Sequence, residues 1–240
     1  PSYLAWTLQR VLFFKLILLS GLVKLWSNDA PWYQLTALQY HYWTQPLPNG
    51  LSYWVHSLPE WFHQASCVLL FIIEVGTIWL VFFGPRFRKI AFKTQLFLQL
   101  AILLTGNYGF FNLLTMVLCI SALDDRILPR WLQRETHLSS PSFPSGSRVQ
   151  LHVPKLLRRV CLGMLIAMHI GTIVGQAPYM IPAVEPLLES STALRPLRSL
   201  NSYGLFANMT EERPEIIVEG SYDGVRWKPY SFKWKPGALN

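Results

Sequence analysis

Four apolar blocks occupy most of the first three quarters of the chain. They run over residues 8–26, 64–83, 90–123 and 157–177. A helix needs about 20 apolar residues to cross the hydrocarbon layer of a bilayer. Three blocks fit one crossing each, but the third is 34 residues long and is interrupted at Gly106-Asn107-Tyr108-Gly109. The third block therefore either forms one overlong helix or turns back at its glycines.

The distribution of lysine and arginine between the blocks favours the second arrangement. Residues 28–61 contain none, residues 85–93 contain four and residues 124–159 contain seven. Basic loops stay on the cytoplasmic side of a membrane. Both basic segments share that side only if the third block crosses twice, as residues 90–105 and 108–123. The pattern predicts five spans, with a cytoplasmic N-terminus and a lumenal C-terminus.

The two halves of the third block are each about 16 residues long, slightly short for a span. Local thinning of the bilayer or a shallow hairpin is therefore expected. Backbone groups freed at the turn need partners, since hydrocarbon offers none. Asn107 and Asn112 are the expected partners.

Composition supports a membrane protein. Hydrophobic residues make up 51% and charged residues 14% of the chain, whereas soluble domains carry about 25% charged residues. The net charge of +8 is concentrated between the apolar blocks, which excludes a basic stripe for nucleic acid and predicts membrane lipid as a partner. Cys67, Cys119 and Cys161 all lie in apolar segments and predict buried small side chains, without a disulfide or zinc pattern.

The last quarter of the chain changes character. Residues 181–199 form a connection rich in proline, serine and leucine after a bundle assigned to residues 1–180. Residues 215–220 and the alternating residues 226–235 predict two strands, joined by a turn at Tyr222-Asp223-Gly224. A hairpin is marginal alone. Residues 200–240 are therefore interpreted as the truncated beginning of a β-rich lumenal domain.

Asn208 begins an Asn-Met-Thr sequon, the acceptor pattern for N-linked sugar. Five spans place this sequon in the lumen, where the modification occurs. Asn208 is therefore a glycosylation candidate.

Polar residues inside the blocks are the candidates for intramembrane chemistry. A charge at the centre of a bilayer costs about 2.5–3.5 kcal/mol. One interpretation is that Lys15 and Glu74 pair between the first two spans. In a functional interpretation they form a proton relay, or Lys15 acts as an intramembrane base. In a structural interpretation Lys15 reaches the headgroups, and Glu74 is protonated or satisfied by a neighbour. His169 is expected to form a hydrogen bond between helices.

An aromatic, proline-stiffened motif covers residues 40–49 between the first two spans. Three interpretations stay open: it lies at the lumenal headgroup level, forms a client surface or plugs the bundle. His56 and His63, seven residues apart, share a helix face if residues 52–63 are helical, but two histidines do not predict a zinc site. The motif residues of interest are Tyr40, His41, Thr44, Gln45, Pro46 and Pro48.

The sequence carries no familiar catalytic pattern. A nucleophile elbow, a phosphate-binding loop and a dinucleotide fingerprint are all lacking. Asp124-Asp125 is better interpreted as a helix end than as a magnesium site. No catalytic, cofactor-binding or metal-binding residue is assigned.

Several long segments resemble the lipase maturation factor family, the last ones most closely its second member. The resemblance runs from about residue 10 to 240 and is weakest over residues 132–199, and the chain is shorter than expected between residues 125 and 155. The matching segments are GLVKLW (21–26), WYQLTALQYHYWTQPLPN (32–49), LTGNYGFFNLL (104–114), LNSYGLF (200–206), RPEIIVEGSY (213–222) and Lys235-Pro236-Gly237.

The resemblance implies a non-catalytic, multi-pass protein of the endoplasmic reticulum membrane. Its role would be to help secreted homodimeric lipases, such as lipoprotein lipase, to fold, assemble and leave that compartment, with clients meeting the lumenal domain. The membrane half also resembles the vitamin-K-dependent carboxylase-like bundle, so an intramembrane enzyme using Lys15, Glu74 or His41 stays open. A small transporter using Asn107 and Glu74 is a further alternative.

Overall fold

Helices dominate the computed structural model, which describes residues 3–106, 108–123, 155–174, 201 and 203–233. Eight α-helices precede one small sheet in the described part of the chain. In chain order the elements are α1 (Tyr3–Trp26), α2 (Ala30–Tyr33), α3 (Ala37–Thr44), α4 (Gly50–His56), α5 (Glu60–Phe71), α6 (Pro85–Thr105), α7 (Phe110–Cys119), α8 (Lys155–Val174), β1 (Glu219–Gly220) and β2 (Lys228–Pro229).

The second apolar block forms one nearly continuous helical stretch. Helix α5 passes into a π-helical turn at Ile72–Gly76 and then into a 3-10 segment at Thr77–Phe82. Together, Glu60–Phe82 is the one helix of the described residues that is long and apolar enough by length and composition to cross a membrane. Phe110–Ala122 and Leu162–Val174 are shorter apolar helices. The five-span count stays a prediction.

The third block turns back at its glycines. Helix α6 ends at Thr105, and α7 begins at Phe110 after Gly109, whose φ of 61° lies in the left-handed region that glycine tolerates. The two helices pack antiparallel, and Asn112 Nδ2 donates to Gln99 Oε1 at 3.1 Å. The predicted reversal is therefore present, while Asn107 itself lies outside the described residues.

The core forms where α1 packs against the second and third blocks. Within hydrocarbon, close packing and hydrogen bonds hold helices together, because lipid tails are as apolar as the side chains themselves. A short 3-10 segment at Ile120–Ala122 continues α7 into this core. The buried residues of the cluster are Phe13, Phe14, Ile17, Leu18, Ile78, Val81, Cys119 and Ala122.

The predicted hairpin is present but differs in length and turn. Strand β1 pairs antiparallel with β2 over two residues each, and seven residues join them. The connection is longer than the predicted turn, because the Asp223 side chain and not strand pairing satisfies the loop. Its Oδ1 accepts hydrogen bonds from the amides of Arg226 and Val225. These bonds lower the pKa of Asp223. Gly224 has the expected positive φ, 71°.

Some predicted features lie outside the described residues. They are Asp124-Asp125, residues 175–177 of the last predicted span, the connection at 181–199, and residues 234 and 235 of the second predicted strand.

Candidate functional site at the junction of bundle and C-terminal segment

The aromatic, proline-stiffened motif caps the end of α6. Gln45 Nε2 donates to the carbonyl oxygen of Thr105 at 2.7 Å, and Asn49 Nδ2 donates to that of Leu104 at 3.0 Å. The last carbonyls of a helix lack partners within it. The expectation that Asn112 serves the turn was wrong, because its amide is engaged with Gln99. Gln45 and Asn49 take that role.

Substituting Gln45 tests this cap. Gln45→Leu should lower the free energy of unfolding by about 1–3 kcal/mol, because it leaves the half-buried Thr105 carbonyl unpaired. Thermal unfolding of the detergent-purified chain measures the change. Gln64→Leu is the matched control, because Gln64 makes only an exposed bond to Glu60 within its own helix. Equal unfolding temperatures for the two variants would refute the capping role.

His41 sits among aromatic rings where the motif, the α6–α7 turn and the C-terminal segment meet. Its ring stacks on Tyr108, with centroids 5.9 Å apart, and lies edge-on to Phe206 at 5.8 Å. The Tyr108 hydroxyl is 3.4 Å from His41 Nε2. Burial, and secondly the nearby Lys24 ammonium, lower the pKa of His41 to about 4. The imidazole is therefore neutral at neutral pH.

A neutral buried His41 makes stability depend on pH. Above pH 6.5 the imidazole is neutral in both folded and unfolded chains. Between pH 6.5 and 4 only the unfolded chain takes up the proton, so about 2 kcal/mol should be lost by pH 5. Unfolding temperatures measured from pH 7.5 to 4.5 test this. The His41→Phe variant keeps a ring and should lose this part of the decline; an unchanged profile would contradict the assignment.

The C-terminal segment binds α2 and the residue before it. Trp32 Nε1 donates to the carbonyl oxygen of Phe206 at 3.0 Å. The amide of Met209 donates to Asp29 Oδ2, also at 3.0 Å. These bonds join residues more than 170 positions apart in the sequence.

Arg213 extends this attachment to the end of α3. Its guanidinium donates to the carbonyl oxygens of Trp43 at 3.0 Å and Pro46 at 3.2 Å, and pairs with Glu215 at 2.6 Å. We call the bonds of Asp29, Trp32 and Arg213 the docking contacts. The sequence assigned no role to any of these three residues, although Trp32 and Arg213 begin two of the segments that resemble the family.

Below the docking contacts lies a buried ion pair. Lys24 Nζ is 2.7 Å from Glu74 Oε2, and the two side chains are 3% and 8% exposed. Lys24 also donates to the carbonyl of Ser20 and lies 5.5 Å from the Trp32 ring centroid. The ion pair thus ties α1 to the second block beneath the junction.

Glu74 pairs with Lys24 and not with Lys15, so the interpretation that Lys15 and Glu74 pair is wrong. Lys15 and Lys24 are nine residues apart on α1, about two and a half turns, so they point to opposite faces. Glu74 packs against the face of α1 that carries Lys24. Lys15 is 1% exposed, and its Nζ has no hydrogen-bond partner among the described residues.

Glu74 lies within the π-helical turn, where the regular hydrogen-bond pattern is interrupted. The carbonyl of Ile73 accepts from Gln95 Nε2 at 2.8 Å and from the Thr77 hydroxyl at 3.0 Å. The same hydroxyl is 2.9 Å from that of Thr94 on α6. Side chains of α6 thus satisfy the irregular turn that presents Glu74 to Lys24.

The remaining predicted residues are dispersed. The Nδ1 of His169 is buried without a partner in the described part of the chain, and the expected bond between helices stays a prediction. The Thr44 hydroxyl bonds within α3, to Tyr40. Asn208 is exposed, as a modification site requires. Pro48 is half-buried.

His56 and His63 do not share a helix, because α4 ends at His56 and Pro59 precedes α5. Both border a shallow cavity of about 240 Å³ that Gln39 and Glu60 also line. Among the described residues, no three His, Cys, Asp or Glu residues form a group that could hold a metal ion.

Two family descriptions match the chain. The description "lipase maturation factor transmembrane domain" matches residues 1–130, and "lipase maturation factor C-terminal domain" matches residues 199–240. The two matches contain the two sides of the docking contacts. No solved structure matches.

Individual relatives carry the same names. Lipase maturation factor 1 of Mus musculus is 33% identical over 247 residues, which cover 95% of this chain and 42% of that protein. Lipase maturation factor 2 of Homo sapiens is 32% identical, and that of Xenopus laevis 31%, each over 324 residues covering 97% of this chain and 46% of the relative. The chain therefore spans less than half the length of these curated relatives.

Proposed function

Because the chain belongs to the lipase maturation factor family, we propose that it acts as a non-catalytic maturation factor in the endoplasmic reticulum membrane. It assists secreted homodimeric lipases in folding, assembly and export. The helical bundle anchors the protein, and the C-terminal domain meets the client in the lumen.

The observation that carries this proposal is the set of docking contacts. Asp29, Trp32 and Arg213 hold the start of the C-terminal domain on the end of the bundle. Such an attachment suits a membrane anchor that presents a folded domain at a fixed position. The polar side chains of the junction are used for helix capping and docking, which supports a structural role for this region.

The reversal together with the charge pattern supports the proposed topology. Turning back between α6 and α7 brings both basic segments to one side, which the positive-inside rule makes cytoplasmic. The docking contacts then lie at the opposite, lumenal end. Asn208, one residue before the docked Met209, is proposed to carry sugar there.

Disrupting the docking contacts should reduce lipase secretion. Asp29→Ala combined with Arg213→Ala removes charge-assisted bonds worth about 1.5–3 kcal/mol each, so the C-terminal domain loses its fixed position. Secretion of active lipoprotein lipase is measured in cells that depend on the introduced chain. Arg226→Ala, an exposed arginine on the hairpin loop, is the control. Normal secretion by the double variant at equal protein level would contradict the proposal.

One observation favours the intramembrane enzyme as a second candidate. Lys15 is buried, and its Nζ finds no hydrogen-bond partner among the residues that the structure describes. A desolvated amine of this kind can act as a base or nucleophile. Lys15→Met distinguishes the candidates in the same secretion assay. The maturation-factor proposal expects unchanged secretion, whereas loss of activity at normal protein level would favour chemistry at Lys15.

A further inference from the structure

An exposed aromatic surface lies beside the capping motif. Tyr53, Trp54 and Trp61 are 65%, 69% and 67% exposed, and the rings of Tyr53 and Trp54 lie 5.9 Å apart. Single exposed apolar residues are ordinary, but contiguous ones indicate a partner surface or a membrane. We call this surface the aromatic ridge; it comprises Leu51, Tyr53, Trp54, Leu58 and Trp61.

The fold holds the ridge in place. Asn49 and Ser52 form a reciprocal capping box at the start of α4, and Asn49 also bonds to the end of α6. Ser52 is fully buried, and Val55 packs against the cluster that contains Trp32. The inner face of α4 is thus fixed, which leaves its aromatic face directed outwards.

The ridge continues into the exposed apolar side of the second block. Trp61 lies in the first turn of Glu60–Phe82, the stretch long enough to cross a membrane. Exposed apolar residues follow along that stretch, including Val68, Ile72 and Trp79. A surface that is continuous with the lipid-facing side of a transmembrane domain meets the same lipid at its end.

The side chains of the aromatic ridge indicate the depth at which it lies in the bilayer. Tyrosine and tryptophan prefer the headgroup region, where an apolar ring and a polar N–H or O–H are both satisfied. Residues 28–61 contain no lysine or arginine, so nothing on this surface selects anionic lipid. We propose that the aromatic ridge lies in the headgroup layer of the leaflet opposite the basic segments and contacts zwitterionic lipid.

Quenching by brominated lipid tests the proposal. The full chain is placed in phosphatidylcholine bilayers brominated either near the headgroup or near the chain ends. The difference in emission between the starting chain and Trp54→Phe gives the signal of Trp54, and the difference from Trp61→Phe gives that of Trp61. Both signals should be quenched more strongly by bromines near the headgroup than by bromines near the chain ends. Adding phosphatidylglycerol should leave the quenching unchanged.

Trp32→Phe is the control, because Trp32 is 3% exposed inside the fold and its signal should resist both lipids. Signals of Trp54 and Trp61 that resist both lipids but respond to aqueous iodide would overturn the proposal and leave the ridge free for a protein. The inference depends on the transmembrane domain and not on lipase maturation, so quenching and secretion can fail separately.

Discussion

Replacing Lys24 with methionine is expected to lower the free energy of unfolding by about 3–5 kcal/mol, the usual effect of removing one partner from a buried ion pair. The Glu74 carboxylate would remain buried beneath the junction without the ammonium that lies 2.7 Å away. Neither water nor lipid can replace that partner. Thermal unfolding in detergent and the yield of monodisperse protein measure the loss.

Two further variants separate loss of the ion pair from loss of a lysine. Lys24→Met combined with Glu74→Met should recover much of the stability, because no buried charge is left unpaired. Lys15→Met is the matched control on the same helix, and it should be neutral or stabilising because Lys15 Nζ has no hydrogen-bond partner within the described part of the chain. A Lys24→Met protein as stable as the starting chain would contradict the assignment.

Replacing Gly21 with valine should cost more than about 3 kcal/mol, since overpacking of about 1–3 kcal/mol adds to damage at the ion pair. A Cβ at Gly21 would lie 2.6 Å from Val75 Cγ2 and 2.9 Å from Glu74 Cβ. The helix α1 would have to move away from the π-helical turn. Lys24, one turn further along α1, would move with it.

Gly76→Ala provides the comparison for Gly21→Val. Gly76 belongs to the same π-helical turn, but a Cβ there meets nothing within 4 Å. The unfolding temperature of Gly76→Ala should stay near that of the starting chain, while the unfolding temperature of Gly21→Val falls steeply. If both variants unfold alike, close packing at Gly21 does not hold the bundle together.

The parts of the fold that depend on local sequence were predictable. The second block, the reversal at Gly106 and Gly109 and the paired C-terminal strands all follow from the lengths of apolar runs and from turn residues. Each involves contacts between neighbouring segments. The position of the turn at Asp223 was predicted, but its length was not. One carboxylate oxygen accepts hydrogen bonds from two backbone amides there and stabilises a longer loop.

The contacts of the site were not predictable in the same way. The choice of Lys24 over Lys15 depends on how α1 is rotated, and both lysines interrupt the same apolar block. The cap of α6 joins Gln45 to a carbonyl 60 residues away, and Arg213 reaches 170 residues back to Trp43. Amides and arginines are too common in sequences for their long-range partners to be identified without the packed structure.

The most direct test of the account is whether Asn208 carries sugar when the chain is made in sealed microsomes. The account predicts a shift on treatment with endoglycosidase H, and no shift for Thr210→Ala, which destroys the sequon while leaving the docked Met209 amide in place. It would be contradicted by an unglycosylated chain whose C-terminus is cut by protease added outside the microsomes.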